Sequence, residues 1–547
     1  VGLLLVGGSV IQGKDIYVES GGKGSGTCGV SSVEPCALDH AVEEVAGAGD
    51  TLLLMGSFDE DDYGTGLNIS YPLELVAVET DGAAFFVPSP GAEGDPTPYI
   101  FSLDKGATRV VFDGVAFLQV EPGPGLPRLT TREPGVADAL AGVAWELLVV
   151  AGDSRVVLNN ITVEGIQVLQ DVTTDSVATH PVMGCIVRVH PSALHTQLEL
   201  NDVILSDLAG VIGVYYGEPQ EPGGSLALSS VNLLVQRNSL TAFATIWFEE
   251  HEVAAKSVSV ELEQLAALEN SAQIVGGIMP VTEGLNASVT VSNLLIANSE
   301  LYMGSAEEQF SYFWFSKPNV ISITDIVAVN NSLLNVSDAE VDPTLFAIIG
   351  IDFKKKDRPY SGLISRGLFV ENTNIGPILV SCNKNTPVTM EVSDSEFVDQ
   401  TVAVGASVTF VNAAKDSSLT LRNNVFANNT VMDATTLVEW NLGSGGVIFC
   451  DGSAELLVAG NQTRYSGNDD AMRAIFGSCK KSCELPEKTA LKICGVQGTT
   501  IATYIFSAIL ATFVIIIAVY HVVFVTIILK RRDAEYKRLD ALDESDD

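Results

Sequence analysis

The clearest pattern along the chain is a strand signature that repeats between residues 109 and 427. Each unit alternates apolar and polar residues, continues through a pair of mostly small or polar residues, and has an apolar residue three positions later, from Phe117 to Phe426. Alternation with a period of two predicts β-strands, because a helix would not present these positions on one face. The pairs are Asp113-Gly114, Asn159-Asn160, Asn201-Asp202, Ser229-Ser230, Glu263-Gln264, Ser292-Asn293, Thr324-Asp325, Ser365-Arg366, Ser393-Asp394 and Arg422-Asn423.

Units of this size predict the stacked coils of a parallel β-solenoid. Successive pairs lie 28 to 46 residues apart, and Asn and Asp suit corners that need left-handed or side-chain-capped turns. Ten coils at about 4.8 Å each would form one rod of roughly 50 to 60 Å. A tandem of β-sandwiches also fits evenly spaced strands. An amphipathic helix from Leu38 to Val45 is expected to cap the N-terminal end, since open strand edges template aggregation.

A second pattern is an apolar run near the C-terminus. Residues 501–529 contain no Asp, Glu, Lys or Arg, and this uncharged run is long enough for a transmembrane helix. Lys530, Arg531 and Arg532 follow at once, so the positive-inside rule places the tail in the cytoplasm and the preceding residues outside or in a lumen. We therefore expect a type I, single-pass membrane protein at the plasma or endolysosomal membrane.

This topology divides the chain into five segments. Residues 1–14 are a signal-peptide remnant or a first strand. Residues 15–449 form the predicted β-helix ectodomain, and residues 450–500 form a Cys-rich C-terminal cap and juxtamembrane stalk. Residues 501–529 are the transmembrane helix, and residues 530–547 are the cytoplasmic tail.

Several motifs resemble a known superfamily. The sequences DIYVE (Asp15 to Glu19), GTCG (Gly26 to Gly29), Pro35-Cys36 and GDTL (Gly49 to Leu52) resemble the N-terminal region of pectin-lyase-like proteins. The phrases VVFDGVAF and LTLRNNVFANN resemble their coil repeats, including those of the polymorphic outer-membrane-protein type. The resemblance implies an all-β, right-handed parallel β-helix over nearly the whole ectodomain, and it leaves the activity open.

The charge balance and the cysteines narrow the function classes. With 30 Lys and Arg against 68 Asp and Glu, the net charge is −38, which argues against a nucleic-acid partner.

The eight cysteines all precede the apolar run, which suits an oxidising compartment. Cys185 and Cys382 are expected to be buried free thiols. A zinc site at Cys479 and Cys483 is an alternative to disulfides there. The disulfide candidates are Cys28, Cys36, Cys450, Cys479, Cys483 and Cys494.

Candidate modification and interaction sites follow from short motifs. Thr503, Ser507 and Ala511 form a small-residue stripe that would let another helix approach in the membrane. Tyr536 and Leu539 resemble a Tyr-x-x-bulky sorting signal that clathrin adaptors read. Seven Asn-x-Ser/Thr sequons predict N-glycosylation at Asn68, Asn160, Asn286, Asn330, Asn335, Asn428 and Asn461.

Two patches are candidates for ligand binding. The only dense basic run of the ectodomain could dock a polyanionic glycan or an acidic partner, although a solvated loop has the same composition. Tyr312 and Trp314 lie in an aromatic run that could stack on sugar rings, with burial in the rod as the alternative. The basic residues are Lys354, Lys355, Lys356 and Arg358.

No catalytic residues and no metal or cofactor are indicated. Enzymes of the resembled superfamily cleave acidic polysaccharides with clustered carboxylates. Here the acidic corner residues Asp113, Asp202, Asp325 and Asp394 fit a stacked structural ladder better. The sequence therefore favours a membrane glycoprotein whose rigid β-helix serves adhesion, glycan recognition or assembly. The alternatives are an accessory subunit of a larger membrane complex and a membrane-tethered polysaccharide lyase or hydrolase.

Overall fold

The structure, a computed structural model, covers most of the chain. It describes residues 13–494 apart from 79–82, 87–98, 120–145, 167–183, 191, 209–210, 217–223, 239–241, 247–256, 273–285, 303–309, 317, 335–345, 354–359, 384, 403–406, 432–445 and 469–472, and it also describes residues 509–517, 519, 523, 526 and 530.

The described strands form a parallel β-helix. Fifteen strands of one large sheet pair in sequence order, each parallel to the one before and the one after, so that each coil lies on the previous coil. Fourteen steps of about 4.8 Å give this stack a length of about 67 Å. The β-helix prediction is therefore confirmed, and the β-sandwich alternative is excluded because sandwiches are built from antiparallel sheets.

The large sheet, sheet A, provides one face of every described coil. Strands are numbered here in chain order. Sheet A holds β1 (Asp15–Lys23), β2 (Asp50–Met55), β3 (Ser57–Phe58), β5 (Leu73–Ala77), β6 (Ala83–Phe86), β8 (Arg109–Asp113), β9 (Val115–Leu118), β11 (Ser154–Asn159), β12 (Thr162–Glu164), β14 (His195–Ser206), β16 (Ser225–Gln236), β18 (Ser257–Leu268), β20 (Asn286–Ala297), β23 (Val320–Val329), β26 (Tyr360–Val370), β28 (Val388–Ser393), β29 (Glu396–Val398), β32 (Ser418–Arg422), β33 (Val425–Ala427), β36 (Glu455–Ala459), β37 (Arg464–Ser466) and β39 (Lys480–Glu484).

Three smaller groups of strands complete the coils. Sheet B holds β4 (Leu67–Ile69), β7 (Tyr99–Leu103), β10 (Glu146–Val150), β13 (Gly184–Val189), β15 (Val211–Tyr216) and β17 (Ala242–Ile246). Sheet C holds β19 (Ser271–Ala272), β21 (Glu300–Tyr302) and β24 (Ser332–Leu334), and bridges at Thr373 continue it to β30 (Thr401–Val402) and β34 (Thr430–Val431). Sheet D holds β22 (Phe310–Ser316), β25 (Phe346–Phe353), β27 (Gly376–Cys382), β31 (Val408–Ala413), β35 (Gly446–Gly452) and β38 (Arg473–Phe476).

Most described coils of sheet A turn at residues with left-handed backbone. At the first corner φ lies between 51° and 57° at Asn160, Asp202, Asn232, Gln264, Asn293, Asp325, Arg366, Asp394 and Asn423. At the second corner φ lies between 51° and 55° at Asp207, Arg237, Glu269, Asn298, Asn330, Glu371, Asp399 and Asn428. Asn and Asp dominate both corners because they tolerate this conformation better than other residues with a side chain.

The sequence pairs mark the first corner correctly in nine of the ten units. In the remaining unit the register pairs Asn201 with Val231, so the corner residue is Asn232 and not Ser230. The prediction at Ser229-Ser230 was wrong by two residues. The stack is longer than ten coils because strands at both ends, β1, β2, β5, β36 and β39, lack the pair.

Inward side chains stack in columns and form the core. The rings of Phe369 and Phe397 lie 5.1 Å apart, and those of Phe397 and Phe426 lie 5.4 Å apart, with nearly parallel planes. Phe58 and Phe85 form a similar pair at 5.0 Å near the N-terminal end. All five side chains are fully buried. Residues at the same position of successive coils thus share one column, which explains the spacing of the repeat.

A disulfide-closed loop lies against the outer edge of β1. Cys28 and Cys36 are bonded, the amide of Tyr17 donates to the carbonyl of Gly29 at 2.9 Å, and the amide of Lys23 donates to that of Pro35 at 3.0 Å. The next residues form a single short turn, the α-helix α1 (Leu38–His40), and continue as a π-helix (Ala41–Val45). The expected amphipathic helix is therefore broken into two pieces, with α2 (Glu60–Tyr63) after them.

The strands all belong to a unit that spans Val1–Leu485, and a second unit spans Pro486–Asp547. In the second unit, α3 covers Glu487–Cys494, and residues 509–517 are helical. Within the part of the chain that the structure describes, no helix is both long enough and apolar enough to cross a membrane.

Candidate functional site

The acidic residues of the first corner are tied to the neighbouring coil. Each of the four accepts hydrogen bonds from a side chain one coil further along, so none projects into an open cluster. The bonds join Asn160 Nδ2 to Asp113 Oδ1 (2.7 Å), Asn232 Nδ2 to Asp202 Oδ1 (2.8 Å), Arg366 Nε and Nη2 to Asp325 (2.6 Å each) and Asn423 Nδ2 to Asp394 Oδ1 (3.0 Å). The geometry is that of a structural ladder rather than of paired catalytic carboxylates.

The second corner holds a similar ladder. Arg237 donates two hydrogen bonds to Asp207, at 2.9 and 2.6 Å, and this contact lowers the pKa of the Asp207 carboxyl below its ordinary value of 3.8. Three steps further along, Asn330 Nδ2 donates to Asn298 Oδ1 at 2.9 Å. Both corners are exposed to solvent, so these contacts orient side chains more than they stabilise the fold.

A third ladder is buried directly after the second corner. Its rungs are amide or hydroxyl side chains that point inward, one per coil. The side-chain oxygen of each rung except Gln400 accepts from a backbone amide of the coil before, whereas Gln400 Oε1 accepts from the side-chain Nδ2 of Asn372 at 3.0 Å. Asn331 Oδ1, for example, accepts from the amide of Ser299 at 3.1 Å, while its Nδ2 donates to the carbonyl of Ile296 at 3.1 Å. The rungs are Asn238, Asn270, Ser299, Asn331, Asn372, Gln400, Asn429 and Asn468.

Sequence reasoning did not identify this buried ladder. The signal was present, because seven of the eight rungs are Asn or Gln directly after a left-handed corner residue or Gly467. These side chains satisfy backbone groups that would otherwise be orphaned at the turn. The ladder binds coil to coil in the interior, so it contributes rigidity and not chemistry.

His190 does not activate the neighbouring Ser192 as a nucleophile. His190 Nδ1 lies 2.8 Å from Ser192 Oγ, but that hydroxyl donates to the carbonyl of Ala151 at 2.7 Å. Partial burial and then the charge of Arg188 lower the pKa of His190 below 6.5. A catalytic base would need to receive the hydroxyl proton, which the Ser192 geometry directs elsewhere. Over the described residues, no group of His, Cys, Asp or Glu side chains is placed to hold a metal ion.

One ion pair joins the adjacent strands β10 and β13 of sheet B. Glu146 Oε1 bonds Arg188 Nη1, and the Glu146 side chain is 5% exposed. Cys185 lies opposite Glu146 on the adjacent strand and is fully buried. Burial, and then the Glu146 charge, raise the pKa of the Cys185 thiol. Cys382 is also a buried free thiol with a raised pKa. A protonated, buried thiol is unreactive, so neither cysteine is suited to nucleophilic chemistry.

The aromatic candidates are buried. Tyr312 is 4% exposed and Trp314 is 5% exposed, and the indole of Trp314 covers Gly350 on the adjacent strand β25. Their rings are therefore not open to a sugar in this structure, because sheet D is buried on both faces. The basic candidates Lys354, Lys355, Lys356 and Arg358 lie outside the described residues, and docking at them stays a prediction.

The expected disulfides are present. Cys28 bonds Cys36 and Cys450 bonds Cys479, while Cys483 and Cys494 are each disulfide-bonded. The zinc alternative at Cys479 and Cys483 is therefore wrong, since both sulfurs are engaged.

The sequons that the structure describes lie on the surface. Asn335 falls outside the described residues, and the other six asparagines are exposed: Asn68, Asn160, Asn286, Asn330, Asn428 and Asn461. Glycosylation stays a prediction. Of the membrane and tail candidates, Ala511 lies in the helical segment 509–517, whereas Thr503, Ser507, Tyr536 and Leu539 fall outside the described residues.

The comparisons with known proteins identify no family. No family model and no curated protein matches the chain. Two solved structures of the Streptococcus pneumoniae surface protein and adhesin PfbA are similar to it, each at 10% identity and over 82% of this chain. They are covered over 94% and 87% of their own lengths, with TM-scores of 0.21 and 0.23. At such scores the likeness carries no argument about this chain.

Proposed function

We propose that this chain is a single-pass membrane glycoprotein whose β-helix serves as a rigid scaffold for adhesion, glycan recognition or assembly. The observation that carries the proposal is the uninterrupted parallel stack from β1 to β39, reinforced by the buried amide ladder. Such a stack resists bending because every coil is bonded to two neighbours, and it presents its insertions at fixed spacings.

The apolar segment near the C-terminus supports a membrane anchor. Residues 501–529 carry no charged side chain, and the described helical part, 509–517, exposes its apolar side chains all round. Ile509, Phe513 and Ile517 are 58%, 63% and 57% exposed. Apolar side chains on every face of a helix are stable in lipid and not in water. The basic residues from Lys530 onward orient the β-helix away from the cytoplasm.

The termini and surface fit this role. The helical segment Leu38–Val45 buries Leu38, Ala41 and Val42. Together with the loop closed by Cys28 and Cys36, it would cap the N-terminal end of the rod. The exposed sequons and the presence of disulfides both suit a lumenal or extracellular β-helix. In the tail, Tyr536 and Leu539 would recruit clathrin adaptors.

Membrane topology is tested on the full chain with a C-terminal tag in sealed microsomal vesicles. We expect the chain to resist carbonate extraction, the tag to be digested by external protease, and the β-helix to be protected and shifted in mass by a glycosidase. Release by carbonate, or a protected tag, contradicts the proposed topology.

The scaffold role is tested by capture. Cells displaying the full chain are offered an array of acidic and neutral glycans. We expect binding that is lost when Lys354, Lys355 and Lys356 are replaced by Gln. The matched control replaces Lys480 and Lys481, which lie on β39. Release of unsaturated or reducing sugar fragments instead of capture would favour the lyase or hydrolase alternative.

A further inference from the structure

The outer surface between the two corners of sheet A is unexpectedly apolar. Each coil contributes two outward positions there, and the strand register aligns them in two columns. Column one contains Ile204, Leu234, Ala266, Leu295, Val327 and Leu368, then Glu396 and Val425. Column two contains Leu268, Ala297, Val329, Val370, Val398 and Ala427, preceded by Ser206 and Gln236. We call these two columns the apolar face.

These side chains face outward and are accessible. The alternating residues between them, such as Ile296, Ala328 and Phe369, are fully buried in the core. The members of both columns other than the buried Ser206 are instead at least partly exposed, and Leu368 reaches 37%. A surface strand normally alternates apolar and polar residues, so apolar residues on both sides indicate that the outer side also has a partner.

The apolar face is extended and locally distinct. It crosses eight strands, which at about 4.8 Å per strand and two positions per coil gives a strip of about 35 by 10 Å, or roughly 350 Å². On the other side of the first corner, most outward positions of the same strands are polar, although the apolar residues Val231 and Val320 are exposed there. Ser259, Thr290 and Ser322 occupy such polar positions on β18, β20 and β23. The apolar character therefore belongs to this strip and not to the whole sheet.

The two corners that border the apolar face are acidic. At the corner positions, the cations are Arg237 and Arg366, and each is bonded to an aspartate of the adjacent coil. Further carboxylates lie at the corners without a basic corner residue bonded to them: Asp202, Asp394, Glu269, Glu371 and Asp399. We call these two corners the rims of the apolar face. Five residues of strand separate the rims, a distance of about 16 Å, and this width admits one helix of about 10–12 Å diameter.

We propose that the apolar face binds an amphipathic α-helix whose apolar stripe is flanked by Lys and Arg. About 22 residues of helix match the length of the strip, and basic flanks complement the acidic rims. A second copy of this chain is a poorer occupant, because it would place acidic rims against acidic rims in a protein of net charge −38. The inference rests on the scaffold function and names the chemistry of its partner.

The test uses the full chain in phosphatidylcholine nanodiscs, with empty nanodiscs as the reference surface. The probe is a labelled 22-residue peptide that carries Leu at helical spacing with Lys and Arg on both flanks. A peptide of the same composition without the helical spacing is its control. We expect saturable binding of the helical peptide only, weakened by rising salt because the rims contribute electrostatically.

Two variants locate the binding surface. Leu295→Glu and Leu368→Glu each place a charge in column one, where the fold already accommodates the carboxylate of Glu396 between Leu368 and Val425. We expect each to weaken binding at least about tenfold, the effect of losing a central contact residue. Thr290→Glu adds the same charge on the polar side of β20 and should change binding less than about twofold.

Other results overturn the inference. Equal binding of both peptides, or binding unaffected by Leu295→Glu and Leu368→Glu, places the contact elsewhere. Dimers that dissociate on these substitutions identify a second copy as the occupant, and binding that appears only after glycosidase treatment identifies the chain's own glycans. If glycan capture persists while the peptide fails to bind, the scaffold function stands and only this inference fails.

Discussion

Asn331 and Asn372 are stacked in the interior of the β-helix, although 41 residues separate them in the chain. Asn331 Nδ2 donates to Asn372 Oδ1 at 2.9 Å, and the same oxygen accepts from the backbone amide of Asn331 at 3.0 Å. Asn331 is 1% exposed and Asn372 is fully buried. Water does not reach these buried groups, so each amide must find its hydrogen-bond partner in the neighbouring coil. The amides thereby hold successive coils in register.

Replacement of Asn331 by Ala should therefore be strongly destabilising. It leaves the amide of Ser299 and the carbonyl of Ile296 without their side-chain partner. Each buried group left unpaired costs about 1 to 3 kcal/mol, so for the two groups we expect a loss of about 2 to 6 kcal/mol in the free energy of unfolding. Chemical denaturation followed by circular dichroism measures it. Thr290→Ala, on the exposed side of β20, is the control, and an equal loss there would contradict the role of the ladder.

The outer corners could be predicted from the sequence, whereas the buried ladder could not. Asn and Asp recur at left-handed turns for a backbone reason that needs no knowledge of neighbours. The pair Asn330-Asn331 shows the limit, because one amide points out and forms the corner while the next points in. Only the register between coils decides which amide points out and which points in. Because the sequence does not give this register, Ser229-Ser230 was mistaken for the corner at Asn232.

The apolar face was missed for a related reason. A strand such as β23, with Ile326, Val327, Ala328 and Val329 in a row, predicts burial on both sides. The structure buries Ile326 and Ala328 and leaves Val327 and Val329 on the outer surface. Sequence patterns give the faces of a strand but not what covers each face. Likewise, the aromatic run at Tyr312 and Trp314 did not reveal that sheet D is covered.

Replacement of the corner residue Gln264 by Asn should stabilise the β-helix. The φ of Gln264 is 57°, a left-handed conformation that costs an ordinary side chain about 1 to 2 kcal/mol and that Asn tolerates better. We expect Gln264→Asn to stabilise the β-helix by about 0.5 to 1 kcal/mol in chemical denaturation. Gln236→Asn, at the end of β16 and outside the left-handed corners, should give no gain. Stabilisation by both variants alike would remove the backbone explanation.

The Asp207 carboxyl should titrate below its ordinary pKa of 3.8. Its hydrogen bonds to Arg237 favour the charged form in the folded protein. A lowered folded pKa stabilises the fold above the unfolded value, and this contribution is lost as pH falls through the folded pKa. Carboxyl carbon NMR of Asp-labelled protein should show the shift, and Arg237→Gln should abolish it. Arg422→Gln, beside Glu391, is the control and should leave Asp207 unchanged.

Cys185 and Cys382 should be unreactive in the native protein. Burial raises the pKa of both thiols, so the reactive thiolate is absent near neutral pH. Treatment with iodoacetamide should add no label to the folded chain, two labels after denaturation and eight after denaturation with reduction, as mass spectrometry can count. Rapid labelling of the native chain would show that sheets B and D open readily or that these thiols are exposed.

Gly350 should tolerate no side chain, because β25 passes directly beneath Trp314. A Cβ at Gly350 would overlap Ser311 Oγ and the indole of Trp314, both buried on the adjacent strand β22. Because sheet D is buried on both faces, Trp314 has no open space into which it can move. We expect Gly350→Ala to lower the free energy of unfolding by about 1 to 3 kcal/mol, the cost of overpacking a core. Gly24→Ala is the matched control, since an added Cβ there meets nothing within 4 Å. If Gly350→Ala is as stable as Gly24→Ala, Trp314 is free to move, and stacking of its ring on a sugar becomes feasible again.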